Sequence, residues 1–286
     1  MTEKNEGVAS ASAGDRFSDR SLCADCEHCF ALCCVALAFA PSADFAIIKS
    51  AGQACPNLQS DFRCGIHTRL RQQGFRGCAV YDCFGAGQQV SQVTFGGQDW
   101  RQAPQTAKQM FAVFPIMRIL HELLWYLTEA LTLPAAASLF GALSRALEET
   151  KRLTYSSPAA LLELDVAAHR QDINTLLLQT SELARADVRQ AKKDYRGADL
   201  IGAKLKGANL RGANLRGAYL IGADLSHADL RRADLIGVDF RDANLSSANL
   251  RGSLFLIQSQ LDAAKGNAKT KLPPPLTRPT HWYSTE

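Results

Sequence analysis

The sequence has no long uncharged apolar run, and no cysteine follows Cys83. Its N-terminal segment, MTEKNEGVASASAGDRFSDR, has early acidic residues and no apolar core, unlike a secretory signal. The most apolar stretch, residues 111–147, contains Arg118, Glu122 and further ionisable side chains, whereas a membrane span needs about 20 nearly uncharged residues. We therefore expect a cytoplasmic protein without a membrane partner, in which thiols are reduced by default.

Motifs of several enzyme classes are missing as well. His121-Glu122 opens like the HExxH zinc-protease motif, but the fifth position is Trp125, so we interpret both as polar residues on a helix surface. No glycine-rich segment matches a phosphate or dinucleotide loop. The net charge is only +4, which indicates neither nucleic acid nor an anionic membrane as a partner.

A chain of 286 residues suggests two or three domains at roughly 100–200 residues each. Apolar residues at helix spacing predict three helices in the middle of the chain. Pro115 should start or kink the first helix, Pro134 should begin the second, and Ser157-Pro158 should cap the third. The predicted segments are a disordered tail (1–20), a cysteine-cluster domain (21–100), a helical segment (101–194), a repeat domain (195–257) and a C-terminal cap (258–286).

A five-residue period runs through residues 198–257. Leu or Phe occupies every fifth position from Leu200 to Phe255, and a small residue stands two positions before each. This period fits neither a helix at 3.6 residues per turn nor a strand at 2. It predicts a solenoid whose units stack on their neighbours, with large and small side chains alternating inside.

This run closely resembles the pentapeptide-repeat family, whose pattern is A-(D/N)-L-x-x. The resemblance implies a right-handed quadrilateral β-helix with four units per coil, and the twelve units present would make three coils. Some members imitate DNA with a long acidic surface, but residues 196–255 hold nine Lys or Arg and only six Asp. We expect instead a protein partner on the outward positions, which vary in type and include Lys206, Arg211, Arg216, Ser226, Arg231 and Arg241.

The C-terminal tail, residues 258–286, is rich in proline and contains His281-Trp282-Tyr283 just before its last three residues. A solenoid needs its open end covered. We predict that this tail is the cap and that Trp282 packs back on the coils. The alternative is a free proline-rich ligand for a partner.

Nine cysteines lie between Cys23 and Cys83, which is difficult to explain as ordinary core packing. Thiolate is a soft ligand that suits zinc and iron–sulfur clusters. The spacing from Cys23 to Cys33 reproduces that of bacterial ferredoxins, but Cys34 replaces the expected proline and the companion motif is missing. The segment therefore predicts a metal or iron–sulfur site, but not a ferredoxin.

The two cysteine groups together resemble the CxxCxxCC cysteine-cluster family (YkgJ-like), described as a zinc- or iron-chelating domain. The resemblance covers residues 23–85 in the same order, with one extra residue before the cysteine pair. His67 stands where that family has tyrosine and could supply a nitrogen ligand, whereas Cys23 lies outside the pattern as a spare thiol or further ligand. The ligands that the resemblance implies are Cys26, Cys29, Cys33, Cys34, Cys55, Cys64, Cys78 and Cys83.

Nine cysteines and His67 exceed one tetrahedral site, so two metals or a multi-iron cluster fit the count better. On this count an iron–sulfur cluster or iron is favoured, and zinc is the alternative. The family that the segment resembles includes flagellin lysine methylases that are described as carrying an iron–sulfur cluster, which keeps redox or radical chemistry open. Two functions follow from the sequence. In the first, the metal or iron–sulfur site acts on a partner held by the repeats or passes electrons to it. In the second, the protein is a non-enzymatic scaffold with a structural zinc site.

Overall fold

A computed structural model describes residues 20–188 and 194–283. The predicted tail, residues 1–20, lies outside the described residues apart from Arg20. Three parts follow one another along the chain. They are the cysteine region (residues 21–100), the middle helices (residues 104–188) and the coil stack (residues 194–257), which is closed by a C-terminal segment.

The cysteine region consists of short elements joined by turns. Antiparallel bridges join Phe39 to Lys49 and Leu58 to Cys64. Small apolar clusters that include the cysteines hold these elements together. The α-helices are α1 (Leu32–Val35), α2 (Arg76–Ala79) and α3 (Ala86–Gln88), which continues into a π-helical turn (Gln89–Thr94); the 3-10 turns are Arg20–Leu22, Cys26–His28 and His67–Arg69.

The middle of the chain is helical, as the sequence predicts, although the bounds differ. Helix α4 contains Pro115 in its interior, so of the two predicted roles of this proline the helix start is wrong, and the kink stays a prediction. Ser157 caps the next predicted helix and accepts a hydrogen bond from the Ala160 N–H at 3.3 Å, which confirms that cap. That helix is divided, because Asp165 caps a new one. The elements are α4 (Pro104–Ala130), a 3-10 segment (Pro134–Leu139), α5 (Phe140–Leu153), α6 (Pro158–Glu163), α7 (Val166–Arg185) and a 3-10 turn (Ala186–Val188).

Helix α4 is the central helix of the protein. Its buried side chains include Met110, Phe114 and Met117 towards the cysteine region, and Leu127 towards α5, α7 and the third coil. Among the described residues it alone is long and apolar enough, by length and composition, to cross a membrane, but 56% of its most apolar window is buried inside the protein. His121 is also buried, so its predicted position on a helix surface is wrong.

The coil stack repeats every twenty residues. Parallel bridges join Asp199 to Tyr219 and Tyr219 to Asp239, and the other ladders have the same spacing. The backbone N–H of Leu200 donates to the Tyr219 carbonyl at 2.9 Å, which ties one coil to the next. Four five-residue units therefore make one coil, as predicted. In the described part of the chain these bridges are isolated and no extended strand forms, so the right-handed β-helix stays a prediction.

Glycines form most corners of the coils. Gly222 has φ +65°, and His227, at the equivalent corner of the next unit, has φ +60°. Glycine adopts this left-handed conformation without the steric cost that a side chain brings. The recurring glycine in the repeat therefore has a backbone role, which the alternation of Leu and Ala alone does not reveal.

The C-terminal segment covers the end of the stack. Helix α8 (Gln258–Ala263) follows the last unit, and Lys265 and Lys271 continue two of the bridge ladders. Trp282, in the 3-10 turn Thr280–Trp282, is 3% exposed and packs against the interior of the coils. Its indole N–H donates to the Ala264 carbonyl at 3.0 Å.

A buried ion pair joins the coil stack to the middle helices. Arg216 and Asp234 lie on successive coils, 3.0 Å apart, with side-chain exposures of 6% and 0%. Arg216 also donates to the side-chain carbonyl of Asn174 on α7. Arg216 is one of the predicted outward positions. Its side chain points away from the coil interior, as predicted, but α7 covers it.

A second polar contact joins α4 to the last coil. The Glu129 carboxyl accepts a hydrogen bond from the Phe255 N–H at 2.6 Å. Burial raises the pKa of Glu129 to about 8, with a further contribution from the Asp234 carboxylate, while the bond from Phe255 opposes the shift. The carboxyl therefore exchanges its proton in a range where an exposed glutamate is fully ionised.

We predict that Arg216→Met lowers the thermal midpoint strongly. The substitution leaves the Asp234 carboxylate buried without its cation, which costs about 3–5 kcal/mol. The matched control is Arg231→Met, because Arg231 makes an ion pair with Asp229 at a half-exposed position. That control should stay near the wild-type midpoint in thermal unfolding followed by circular dichroism. Equal midpoints for the two variants would contradict the role of the Arg216–Asp234 pair.

We predict that Glu129→Gln reduces the loss of stability as the pH rises from about 5 to about 8. Because the folded pKa of Glu129 is about 8 against an ordinary value of 4.5, its protonated form favours the folded state. This contribution is complete below the ordinary pKa and is lost as the pH rises through about 8. Thermal midpoints should thus fall less between pH 5 and pH 8.5 in Glu129→Gln than in the wild type. Glu148→Gln, at an exposed site on α5, should keep the wild-type dependence.

Candidate cysteine-rich metal site

The eight cysteines predicted as ligands lie in two neighbouring groups. Cys29, Cys33 and Cys83 join the apolar core under α4, and Cys34, Cys55, Cys64 and Cys78 join a second core. Cys26 is exposed and is counted with the first set, because the bond from the Asp25 N–H to Gln88 ties its 3-10 turn to α3, which carries Gly87. Group one consists of Cys26, Cys29, Cys33 and Cys83. Group two consists of Cys34, Cys55, Cys64 and Cys78.

Group one lies against the core that α4 shares with the cysteine region. Cys29, Cys33 and Cys83 pack there beside buried side chains such as Val90 and Phe114. Gly87 lies directly beside the sulfurs, since a Cβ atom at this position would be 2.6 Å from Cys29 Sγ and 3.8 Å from Cys83 Sγ. The thiolate charge of Cys83 also acts on Cys26 and Cys29. A glycine is therefore needed where the chain passes the sulfurs.

Side chains of α3 and the π-helical turn hold the first cysteine loop in place. Gln88 accepts from the Asp25 N–H at 3.1 Å and donates to the Cys23 carbonyl at 2.8 Å. Ser91 accepts from the Phe30 N–H at 3.0 Å, and Gln92 donates to the His28 carbonyl at 2.9 Å. These bonds fix the backbone on both sides of Cys26 and Cys29.

Two side chains of α4 hold the loop around Cys83. His121 Nδ1 is 2.7 Å from the Phe84 carbonyl, and Arg118 Nε donates to the Asp82 carbonyl at 3.0 Å. Both residues thus anchor the backbone next to the last cysteine. The sequence offers a weak signal for this role, because His121 and Arg118 are polar residues inside an otherwise apolar helix.

Group two lies in a separate small core. Its four cysteines surround the buried side chains of Phe39, Leu70 and Phe75. The Cys55 N–H donates to the Cys34 carbonyl at 3.0 Å, and the bridge between Leu58 and Cys64 returns the chain to the same place. Helix α2 supplies Cys78.

Lys49 is a buried cation beside group two. It is 2% exposed, and its Nζ donates to the carbonyls of Leu37 and Gln53, among others. Burial lowers the pKa of Lys49, while the thiolates of Cys55 and Cys34 raise it. A lysine in an apolar run is too common to identify from sequence, so this neighbour of the cysteines was not predicted.

The thiols of Cys29 and Cys78 are costly to ionise without a counter-charge. Burial raises the pKa of Cys29 to about 11, with the charges of Cys83 and Cys26 adding to the shift. Burial and the charges of Cys34, Cys55 and Cys64 raise the pKa of Cys78 to about 12. A bound metal ion reverses this balance, because it holds coordinating thiols in the deprotonated form.

Several backbone donors point at the sulfurs. Burial raises the pKa of Cys83, but the N–H groups of Gly87 and Gly85 bond to its sulfur and lower it. The N–H groups of Leu32 and Ala31 act in the same way on Cys29. Donors of this kind stabilise thiolates and accompany metal-bound ligands.

Tyr81 supplies a further polar group near group one. Its hydroxyl is buried and has no hydrogen-bond partner among the described residues. Burial raises the pKa of Tyr81, and the thiolates of Cys33 and Cys83 add to the shift. Tyr81 therefore offers an unused hydrogen-bond donor in the core that Cys29, Cys33 and Cys83 share.

The arrangement is looser than a single-ion site. In the part of the chain that the structure describes, no three Cys, His, Asp or Glu side chains converge closely enough to hold one metal ion. His67 is exposed on its 3-10 turn, and Cys23 is exposed at the edge of the region. Their roles as ligands, like those of the other cysteines, stay predictions.

The comparisons with known proteins agree with the geometry of the coil stack. A family profile described as pentapeptide repeats matches residues 196–232 and 218–255, with eight copies. The uncharacterized protein YybG of Bacillus subtilis (strain 168) is 58% identical over 264 residues, which cover 91% of this chain and 95% of YybG.

The chain belongs to the pentapeptide-repeat proteins. The predicted resemblance of the repeats is thereby confirmed. A crystal structure of alr5209, a pentapeptide repeat protein from Nostoc Pcc 7120, is similar with 28% identity and a TM-score of 0.23, covering 35% of this chain and 88% of that one. The family profile matches the coil stack of this pentapeptide-repeat protein, whereas the match to YybG extends over most of the chain.

We predict that Gly87→Ala opens the packing of group one. The added methyl group would meet Cys29 Sγ at 2.6 Å, so the sulfur must move. We expect a lower thermal midpoint and faster alkylation of Cys29 and Cys83, measured by mass spectrometry of the labelled peptides. The control is Gly141→Ala on α5, where the nearest atom is 3.7 Å away and alanine favours the helix. Unchanged alkylation in Gly87→Ala would contradict the contact.

Proposed function

We propose that this pentapeptide-repeat protein binds metal through its clustered cysteines and that its coils bind a protein partner. The observation that carries the proposal is the grouping of all eight predicted cysteine ligands within one folded region. Soft thiolate sets of this kind suit iron–sulfur clusters and zinc. An iron–sulfur cluster would supply electron transfer when bound. His67 is a further candidate ligand, whereas Cys23 is exposed and lies outside both groups.

Two features favour an iron–sulfur cluster over a single zinc ion. The number of thiols exceeds what one tetrahedral ion takes, and the side chains do not converge as one ion requires. A multi-iron cluster has a larger core and holds its cysteines around it. The protein would then act on, or exchange electrons with, the partner.

The coils are proposed to form the right-handed quadrilateral β-helix of the family. Support comes from the twenty-residue spacing of the bridges, since four units close one coil. One side of the stack is covered by the middle helices, but Ile201 and Tyr219 are 58% and 51% exposed on the first two coils. Large exposed apolar side chains on a rigid ladder suit a protein partner rather than nucleic acid.

The second candidate function is a scaffold in which zinc holds the cysteine region together. Its support is the way this region is attached to the stack. Arg76 pairs with Asp242 at 2.9 Å and Arg241 pairs with Asp44 at 3.3 Å, which makes the cysteine region a supporting part of the repeats. A structural site needs no redox chemistry.

The test is metal and sulfide analysis with a UV–visible spectrum on protein purified without oxygen. We expect iron, acid-labile sulfide and absorbance at about 400 nm, as for a thiolate-bound cluster. The double variant Cys33→Ser/Cys34→Ser should lose the iron, the sulfide and the absorbance, whereas Cys23→Ser should keep all three. Zinc with a flat visible spectrum would support the scaffold. Wild-type protein that holds neither metal after purification or reconstitution would contradict both functions.

A further inference from the structure

Cys33 and Cys34 are adjacent in the chain but have different neighbours. Both lie on α1, where consecutive side chains point about 100° apart and do not face each other. Cys33 packs with Cys29 and Cys83 in the core under α4. Cys34 packs with Cys55, Cys64 and Cys78 around Phe39 and Phe75.

We infer that the cysteines form two separate four-thiolate metal centres, divided at the peptide bond between Cys33 and Cys34. Centre one is group one (Cys26, Cys29, Cys33, Cys83), and centre two is group two (Cys34, Cys55, Cys64, Cys78). The inference rests on the proposed metal binding and adds the number of centres and the ligands of each. A zinc ion or an iron–sulfur cluster is bound by four cysteines, so the eight cysteines supply ligands for two sites. Cys23 is then not needed as a ligand.

Contacts within each group support the division. A Cβ atom at Gly87 would lie 2.6 Å from Cys29 Sγ and 3.8 Å from Cys83 Sγ, so two sulfurs that are far apart in sequence lie beside the same glycine. In the other group, the Cys34 carbonyl accepts from the Cys55 N–H. Cys55, Cys64 and Cys78 join the core around Phe39 and Phe75, which contains neither Cys29 nor Cys83.

The two centres are close to one another. The sulfurs of Cys33 and Cys34 are 3.9 Å apart. This proximity does not merge the groups, because Cys29 and Cys83 lie in one core and Cys55, Cys64 and Cys78 lie in the other. Their surroundings also differ. Lys49 is buried beside centre two, whereas the hydroxyl of Tyr81 and the guanidinium of Arg118 lie near centre one.

The decisive comparison uses two adjacent single substitutions in the full-length protein. Wild-type protein should carry two equivalents of zinc, or two clusters, per chain by native mass spectrometry and elemental analysis. Cys33→Ser should lose centre one and keep centre two, and Cys34→Ser should do the reverse, so each retains half. The double variant should hold none. Cys23→Ser, the matched control, should retain both equivalents.

A second measurement on wild-type protein covers the case in which a variant does not fold. The loaded protein is treated with a chelator for increasing times, and released thiols are alkylated and located by tandem mass spectrometry. Partly labelled chains should carry labels on the four cysteines of group one or on the four of group two. Chains labelled on members of both groups, with other members still protected, would overturn the division.

The outcomes separate the inference from the proposed function. Loss of all metal in either single variant, or one equivalent in the wild type, would show one shared centre and overturn only the division. Wild-type protein without metal would overturn the division and the proposed metal binding together. Zinc in both centres or clusters in both would support the division and decide between the two proposed functions.

Discussion

The hydrogen bonds between successive coils are the constraint on which the rest of this structure depends. They tie each residue to the one twenty positions later, so every outward side chain has a fixed place on a ladder. Arg216 can therefore lie directly beside Asp234 under α7, and Asp242 and Arg241 meet the cysteine region at the third coil. The rigid stack thus positions other segments of the same chain, including the cysteine region, which has little regular structure of its own.

The cysteine region depends on its neighbours in a different way. Its helices are too short to bury a core alone, and its apolar clusters are built partly from cysteines. Helix α4 supplies the missing support, since it buries Phe114 against this region and anchors the Cys83 loop through His121. Metal binding would complete a region that is already held from outside, which is consistent with either proposed function.

Features with a local cause could be predicted from the sequence. The coil repeat follows from alternating large and small residues, and the Ser157 cap follows from side chain and backbone chemistry within one turn. The burial of His121, Arg216 and Lys49 could not be predicted, because it depends on which distant segment covers each residue. The division of the cysteines has the same origin. Spacing brings Cys33 and Cys34 together, and only tertiary packing places them in different groups.

The closed repeat of twenty residues restricts how the length of the chain can change. Inserting or removing a whole coil would keep every later side chain on its face, so Arg241 and Asp242 would still point towards the cysteine region. Inserting a single five-residue unit would preserve the interior pattern equally well, but it would turn all later residues to the next face. The interior would tolerate such a change, whereas the attachment of the cysteine region would be lost. Natural variation in the number of repeats should therefore occur in whole coils on the N-terminal side of this attachment.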